Sequence, residues 1–150
     1  MKNLFTVSEV KLSYKQKQKA SERPLVQSSH DTYKLLMKIY DIDTIEYRES
    51  MKLVLLNRAN KVLGVYNLSE GGIDGTYCDV RQILQIALLS NASGVILSHN
   101  HPSGNISPSI ADKRLTTAVK QACDIMNIRL LDHLIVAPES FYSFTDEGLI

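Results

Sequence analysis

The chain has 150 residues, 44% of them hydrophobic and 22% charged, which is the size and composition of one globular domain with a full hydrophobic core. Its 17 basic and 16 acidic residues leave a formal net charge of +1, which excludes a general electrostatic attraction to nucleic acid or to an anionic membrane but not a local basic patch. Cys78 and Cys123 lack the spacing of a disulfide framework or a Cys-x-x-Cys metal site. The N-terminus has no apolar signal-peptide core and no apolar run approaches the ~20 residues that span a bilayer, so we expect a cytoplasmic protein.

Residues 1–30 are the most polar part of the chain. Residues 15–19 form a basic stretch typical of a solvated loop or hairpin tip. Before it, over residues 5–14, apolar residues partly alternate with polar ones, which is the pattern of a strand. We therefore interpret residues 1–30 as a polar N-terminal extension with one candidate strand, ahead of a domain over residues 31–150.

The first elements of that domain are predicted to be a helix and a β-hairpin. Apolar residues recur at helical spacing from Asp31. Residues 50–57 predict a strand with apolar residues on both faces, and the turn at 57–61 returns the chain into a partner strand over 62–66. Glycines at 71, 72 and 75 mark a bend, after which a core helix is predicted over 80–90. The buried stripe of the first helix is predicted to consist of Tyr33, Leu36, Met37 and Tyr40.

The second half of the chain continues the alternation of strands and helices. Residues 93–99 predict a buried strand that runs into a polar loop rich in proline and glycine, and a helix follows the loop. Residues 129–137 predict a further strand and residues 141–144 a short one. This order indicates a single α/β layered domain. The inward face of the helix after the loop is predicted to consist of Leu115, Ala118, Val119, Ala122, Ile125 and Met126.

The residues that indicate a chemical function lie around that loop. In extended backbone His99 and His101 point to the same side, because strand side chains alternate, and two neighbouring imidazoles make half of a zinc site. Asp112 lies at the start of the following helix, on the face that points inward. A carboxylate delivered to the interior needs a partner, and a metal ion is a favourable one.

A purely structural interpretation of Asp112 stays open. Ser109 and Asp112 have the spacing of a helix capping box, and Pro108 suits helix entry, so the pair is explained without a metal. The capping box does not explain two histidines on one strand face directly before the loop. Capping and a role in a site are also compatible, since one serine can do both.

These residues together resemble a known family. The pattern His99-x-His101, seven residues, Ser109, two residues and Asp112 is that of JAMM metalloproteases in the JAB/MPN superfamily. The string His-Asn-His-Pro-Ser-Gly that begins at His99 is similar to the RadC branch of that superfamily. The resemblance covers roughly residues 31–150. It continues through Gly71-Gly72, Arg81, Leu131-Asp132-His133 and Tyr142-Ser143-Phe144-x-x-x-Gly148.

The resemblance implies a fold, a metal and a reaction. The fold is a single-domain mixed, twisted β-sheet flanked by helices, the JAB/MPN (cytidine-deaminase-like) fold. His99, His101 and Asp112 are expected to hold one Zn²⁺ per chain, with a water as the fourth ligand. An upstream glutamate acts as general base in the family; Glu49 fits its spacing better than Glu46.

The implied reaction is hydrolysis of a peptide or isopeptide-like amide bond. Ser109 is expected to stabilise the oxyanion that forms on the carbonyl. Many JAMM enzymes have Ser or Thr between the two histidines, whereas this chain has Asn100, as RadC proteins do, and this weakens the transfer of a known peptidase substrate. His133 is either a hydrogen-bond partner of the site or a buried, satisfied histidine. Tyr142 and Phe144 are interpreted as core or dimer contacts, so an oligomer is left open.

A second hypothesis comes from another functional class. RadC proteins carry a DNA-repair label, which suggests a metal-stabilised, DNA-associated accessory module without peptidase turnover. The near-neutral charge argues mildly against it, and the N-terminal helix-hairpin-helix module of longer RadC proteins is not expected in these 150 residues. A metal-dependent nuclease is disfavoured because such sites are usually rich in carboxylates. A local basic face, if present, would consist of Lys113, Arg114, Lys120 and Arg129.

Overall fold

The computed structural model describes residues 8–71 and 78–150, which form a mixed sheet with helices on both faces. The predicted fold class is confirmed. A short 3-10 helix, Ala20–Glu22, precedes the domain. The helices of these residues are α1 (Ser29–Met37), α2 (Val80–Leu89) and α3 (Ile110–Ile125), and the strands are β1 (Ser50–Leu56), β2 (Val62–Glu70), β3 (Gly94–Asn100), β4 (Arg129–Ala137) and β5 (Ser140–Ser143).

The sheet has the strand order β2-β1-β3-β4-β5. Strands β1 and β2 form an antiparallel hairpin, β1 pairs antiparallel with β3, and β5 pairs antiparallel with β4. The central pair β3 and β4 is parallel, so the chain must cross from the end of one to the start of the other, and α3 makes that crossover. The loop between β3 and α3 therefore lies at the carboxyl end of a central strand.

Two hydrophobic clusters hold the helices to the sheet. Leu53 and Leu97 point to the face that α2 and α3 cover, while Val54 and Ile96 point to the face that α1 covers. Every residue of β3 is buried, because the strand is central and covered on both faces. This explains why its sequence reads as a continuous apolar run until Ser98.

The beginning of α1 differs slightly from the prediction. The helix starts at Ser29, two residues before the predicted start, because the Ser28 side chain accepts a hydrogen bond from the Asp31 amide and caps it. Leu36 and Tyr40 of the predicted stripe are buried, and the other two members pack partly against the same cluster. Among residues 8–71 and 78–150, no helix has the length and apolar character that crossing a bilayer requires.

Two predictions were wrong. Residues 8–17 form no strand, and only Leu25 makes an isolated bridge, to Lys61; positions 5 and 7 of the candidate strand lie outside the described residues, as do the glycines at 72 and 75. The inward face of α3 is made by Thr116, Val119 and Cys123, whereas Ile125 is 80% exposed. The predicted face was correct at Val119, and Leu115 packs against the same cluster, but Ala118, Ile125 and Met126 are exposed. Apolar spacing alone displaced the face because one of the residues that point inward is a threonine.

Candidate metal centre

Two histidine side chains meet at the carboxyl end of β3. His99 is the penultimate residue of the strand and is fully buried, and His101 directly follows the strand. Because side chains alternate in extended backbone, both rings lie on the α3 side of the sheet, with their Nε2 atoms 3.0 Å apart. The predicted pairing of the two imidazoles is therefore present.

The third member of the cluster comes from the first turn of α3. One oxygen of Asp112, Oδ1, lies 3.1 Å from His99 Nε2, and the other, Oδ2, lies 3.5 Å from His101 Nε2. The Ser109 amide also donates to Oδ2 (2.7 Å), and the Asp112 amide donates to Ser109 Oγ (3.0 Å). The capping box is thus formed, and it orients the carboxylate toward the histidines. The capping interpretation of Asp112 and the metal-site interpretation are therefore compatible.

The separations among the three side chains suit a single small metal ion. Zinc ligands at about 2.1 Å in a tetrahedron stand about 3.4 Å from one another. The two imidazole nitrogens stand 3.0 Å apart, Asp112 Oδ1 lies 3.1 Å from the His99 nitrogen, and Asp112 Oδ2 lies 3.5 Å from the His101 nitrogen. With one ligand atom from each residue, the three atoms lie within 4.8 Å of one another. Within residues 8–71 and 78–150, His99, His101 and Asp112 are the group that could hold a metal ion. The donor set, two imidazole nitrogens and one carboxylate, is of the kind that binds a zinc ion.

The electrostatics of the cluster favour an ionised carboxylate. Burial by itself would raise the pKa of Asp112, but its contacts with His101 and His99 outweigh burial and hold that pKa well below its ordinary value. The contact with Asp112 in turn raises the pKa of His101. A charged carboxylate beside two imidazoles is the state in which all three side chains bind a cation.

The loop after β3 sets the orientation of the His101 ring. His101 Nδ1 lies 2.6 Å from the carbonyl oxygen of Asn105, which can only accept, so Nδ1 carries the proton and donates it. In its neutral form the ring then presents the Nε2 lone pair to the cluster. Gly104 donates its amide to the His101 carbonyl, and its φ of +77° is the left-handed conformation that glycine adopts without strain.

Glu49 lies next to the cluster but is not a member of it. Met51 pairs with His99 across β1 and β3, so Glu49, two residues earlier, stands on the same face opposite His101. Burial raises the pKa of this half-buried carboxyl, and the charges of His99, His101 and Asp112 also act on it. Glu46, the competing candidate, is exposed.

A family model described as "RadC-like JAB domain" matches residues 26–149. The chain belongs to this family. A UPF0758 protein of Flavobacterium johnsoniae is 43% identical over 124 residues, which cover 83% of this chain and 53% of that protein. UPF0758 protein YfjY of Escherichia coli is 42% identical over 103 residues, covering 69% of this chain and 64% of the relative. The chain thus spans about half to two thirds of the length of these curated relatives.

Asn100, between the two histidines of this RadC-like JAB domain, has a role that the sequence did not reveal. Its side chain is fully buried on the α1 side of the sheet, opposite to His99. Its Oδ1 accepts from the Ser50 amide (2.8 Å) and hydroxyl (3.2 Å), and its Nδ2 donates to the carbonyls of Ile45 (2.6 Å) and Arg48 (2.9 Å). The side chain therefore ties the segment that carries Glu49 to the strand that carries the ligands.

The RadC-like JAB domain also places His133 of β4 against the cluster. Its Nε2 lies 2.8 Å from His99 Nδ1, and its Nδ1 lies 2.6 Å from Thr116 Oγ1. Burial lowers the pKa of His133 well below its ordinary value, so the ring is neutral. Phe144 stacks on this ring with centroids 4.7 Å apart and is a core residue. Thr116 was not singled out from the sequence, since a threonine in a helix usually only bonds to its own backbone.

Proposed function

We propose that this RadC-like JAB domain is a zinc-dependent hydrolase that cleaves an amide or isopeptide bond. The observation that carries the proposal is the cluster of His99, His101 and Asp112 with a further carboxylate, Glu49, beside it and outside the ligand set. Three protein ligands leave one position open, which distinguishes catalytic from structural zinc sites. A bound zinc ion would lower the pKa of a water ligand toward ~7 and act as a Lewis acid toward a carbonyl oxygen.

Glu49 is the proposed general base and then general acid. Its carboxylate accepts a proton from the attacking water and returns that proton to the nitrogen of the leaving amine. Its half-buried position supports this role, because burial raises the pKa of the carboxyl and so makes the carboxylate a better proton acceptor. The electrostatic effect of His99 and His101 limits that rise.

Ser109 is the proposed donor to the oxyanion. Its Oγ accepts a hydrogen bond from the Asp112 amide, which leaves the hydroxyl proton to be donated outward. The residue is exposed, while the side chains of His101 and Asp112 keep 17% and 12% of their surface accessible. A substrate approaching from the loop side would therefore reach the ligand cluster and Ser109 together, as a peptide or isopeptide bond in an extended segment can.

The experiment that tests the proposal measures metal content and hydrolysis in the same variants. We expect about one zinc per chain by mass spectrometry in the wild type and in Glu49→Gln, and little in His101→Ala. We expect zinc-dependent hydrolysis of a panel of quenched fluorescent peptides and lysine-linked isopeptides by the wild type, with more than 100-fold loss in Glu49→Gln.

The matched control is Glu46→Gln, which removes the same charge three residues earlier, at an exposed position. It should retain both zinc and activity. A wild type that holds no zinc after the ion is supplied and the excess removed would refute the metal site. A Glu49→Gln variant as active as the wild type would refute the base.

DNA binding is the weaker alternative. Of the four basic residues that could form a basic face, Lys120 pairs with Asp124 one turn away and Arg129 donates to the Asn60 side chain. A phosphate group would have to compete with these polar partners for both side chains. Fluorescence anisotropy with a labelled duplex at low salt tests this alternative, because phosphate contacts weaken steeply as salt rises.

A further inference from the structure

We propose that Thr116 and His133 are positioning residues that hold His99 in the tautomer whose Nε2 lone pair faces the metal position. The inference deepens the proposed function, since it assumes the same three ligands. His99 is the ligand whose protonation cannot be read from a single contact, because its Nδ1 faces another imidazole nitrogen. A series of hydrogen bonds from His99 through His133 and Thr116 to the backbone carbonyl of Asp112 determines which nitrogen of His99 carries the proton.

The series of hydrogen bonds starts at Thr116 in the second turn of α3. Its Oγ1 lies 2.7 Å from the carbonyl oxygen of Asp112, and a carbonyl oxygen only accepts, so the hydroxyl proton points there. The same Oγ1 lies 2.6 Å from His133 Nδ1. With its own proton used, the hydroxyl must accept at that contact, and His133 Nδ1 carries the proton.

The order of protons then follows to the metal position. A neutral His133 protonated at Nδ1 has a lone pair at Nε2, and this atom lies 2.8 Å from His99 Nδ1. His99 therefore carries its proton at Nδ1 and donates it to His133. Its Nε2 lone pair is left facing His101 Nε2 at 3.0 Å and Asp112 Oδ1 at 3.1 Å.

Because these side chains are buried, the order of their protons decides whether His99 can bind a metal ion. His99 and His133 are fully buried and Thr116 is 3% exposed, so no solvent water replaces a lost partner. If the Thr116 proton pointed to His133 instead, both rings would carry their protons at Nε2, and His99 would present an N–H to the ligand cluster. That arrangement cannot bind a cation, so the hydroxyl acts as the acceptor that selects the metal-binding form.

Thr116→Val tests the relay, because it keeps the shape of the side chain and removes only the hydroxyl. His133 Nδ1 then has no acceptor, so the proton is expected to move to Nε2 and force the His99 proton onto its Nε2. We expect zinc affinity, measured by competition with a chromophoric chelator, to fall 10- to 100-fold. Thr116→Ser keeps the hydroxyl and should bind zinc like the wild type.

Thr117→Val is the matched control. Thr117 makes the same bond from its hydroxyl to the carbonyl four residues earlier, Lys113 (3.0 Å), but on the exposed side of α3. It should leave zinc affinity unchanged. The second readout is long-range ¹H–¹⁵N correlation of the imidazole rings in the metal-free chain, which reports which ring nitrogen carries the proton.

We expect His99 protonated at Nδ1 in the wild type and in Thr116→Ser, and at Nε2 in Thr116→Val. A wild-type His99 that is protonated at Nε2 and not at Nδ1 overturns the relay, even if Thr116→Val does not fold. A fall in the zinc affinity of Thr116→Val of less than about tenfold also overturns it, since a relay of this kind is expected to contribute at least that much. A wild type that binds no zinc refutes the proposed function, while the tautomer of His99 still decides the relay.

Discussion

Replacement of Asn100 by alanine is expected to destabilise the domain far more than an average polar-to-alanine change. The side chain is fully buried and all of its hydrogen-bonding capacity is used, with two bonds accepted by Oδ1 and two donated by Nδ2. Alanine leaves the Ser50 amide and the carbonyls of Ile45 and Arg48 without these partners. These groups belong to the segment that brings Glu49 to the cluster of His99, His101 and Asp112.

The magnitude follows from the number of bonds. A net contribution of about 1 kcal/mol for each of four hydrogen bonds gives a loss of about 4 kcal/mol in the free energy of unfolding, within a range of about 3–5 kcal/mol. For a domain of this size, 1 kcal/mol shifts the Tm by about 2–4 °C, so the Tm should fall by about 6–20 °C. Asn105→Ala is the control, because its Oδ1 accepts one exposed bond, from Ser107, and its loss should cost less than about 1 kcal/mol.

Urea denaturation of the metal-free protein measures these differences, and Asn100→Asp separates hydrogen bonding from volume. Aspartate fills the same space but turns a donor into an oxygen that faces the Ile45 and Arg48 carbonyls. We therefore expect this variant to be at least as unstable as Asn100→Ala at neutral pH. An Asn100→Asp variant as stable as the wild type would show that the two donated bonds do not hold the segment, and the reasoning would fail.

Two further predictions concern Ser109 and Cys123. Ser109→Ala removes the acceptor of the Asp112 amide and should cost about 1 kcal/mol, or about 2–4 °C in Tm, with zinc content unchanged; loss of zinc would mean that the serine also fixes the carboxylate. Burial raises the pKa of the Cys123 thiol to about 11, so at pH 8 the reactive thiolate is scarce, on the order of one in 10³. Iodoacetamide should therefore modify Cys123 at least about 10²-fold more slowly in the native protein than in urea, and faster as the pH rises; equal rates would contradict its burial.

The helices and strands whose apolar residues recur with a clear period were predictable from the sequence. Strand β4 has the predicted bounds, Arg129–Ala137, and the hairpin of β1 and β2 forms around the predicted turn, although β2 extends to Glu70 instead of ending at residue 66. The cluster of histidines was predictable for the same reason. Alternation in a strand fixes the side on which His99 and His101 lie, and the capping box fixes where Asp112 points.

The supporting residues were not predictable, because their partners are distant in sequence. Asn100 bonds to residues 50 to 55 positions earlier, and Thr116 reaches a histidine 17 positions later. No local pattern encodes such contacts. The same threonine explains the error in the face of α3, since a search for apolar spacing ignores a polar residue that points inward to serve the site.

The two sides of β3 at its carboxyl end have separate tasks, and this makes the register of the strand critical. His99 points toward α3 and belongs to the group that could hold a metal ion, while Asn100 points toward α1 and holds the Glu49 segment. A slip of one residue against β1 would exchange the two sides and place an amide where a ligand is needed. The bonds from Asn100 to Ser50, Ile45 and Arg48 oppose such a slip, because each is satisfied only when Ser50 stands beside Asn100. Asn100 between the two histidines therefore links the strand that carries His99 to the segment that carries Glu49, through bonds to the backbone of Ser50, Ile45 and Arg48 that a shorter hydroxyl side chain could make only in part.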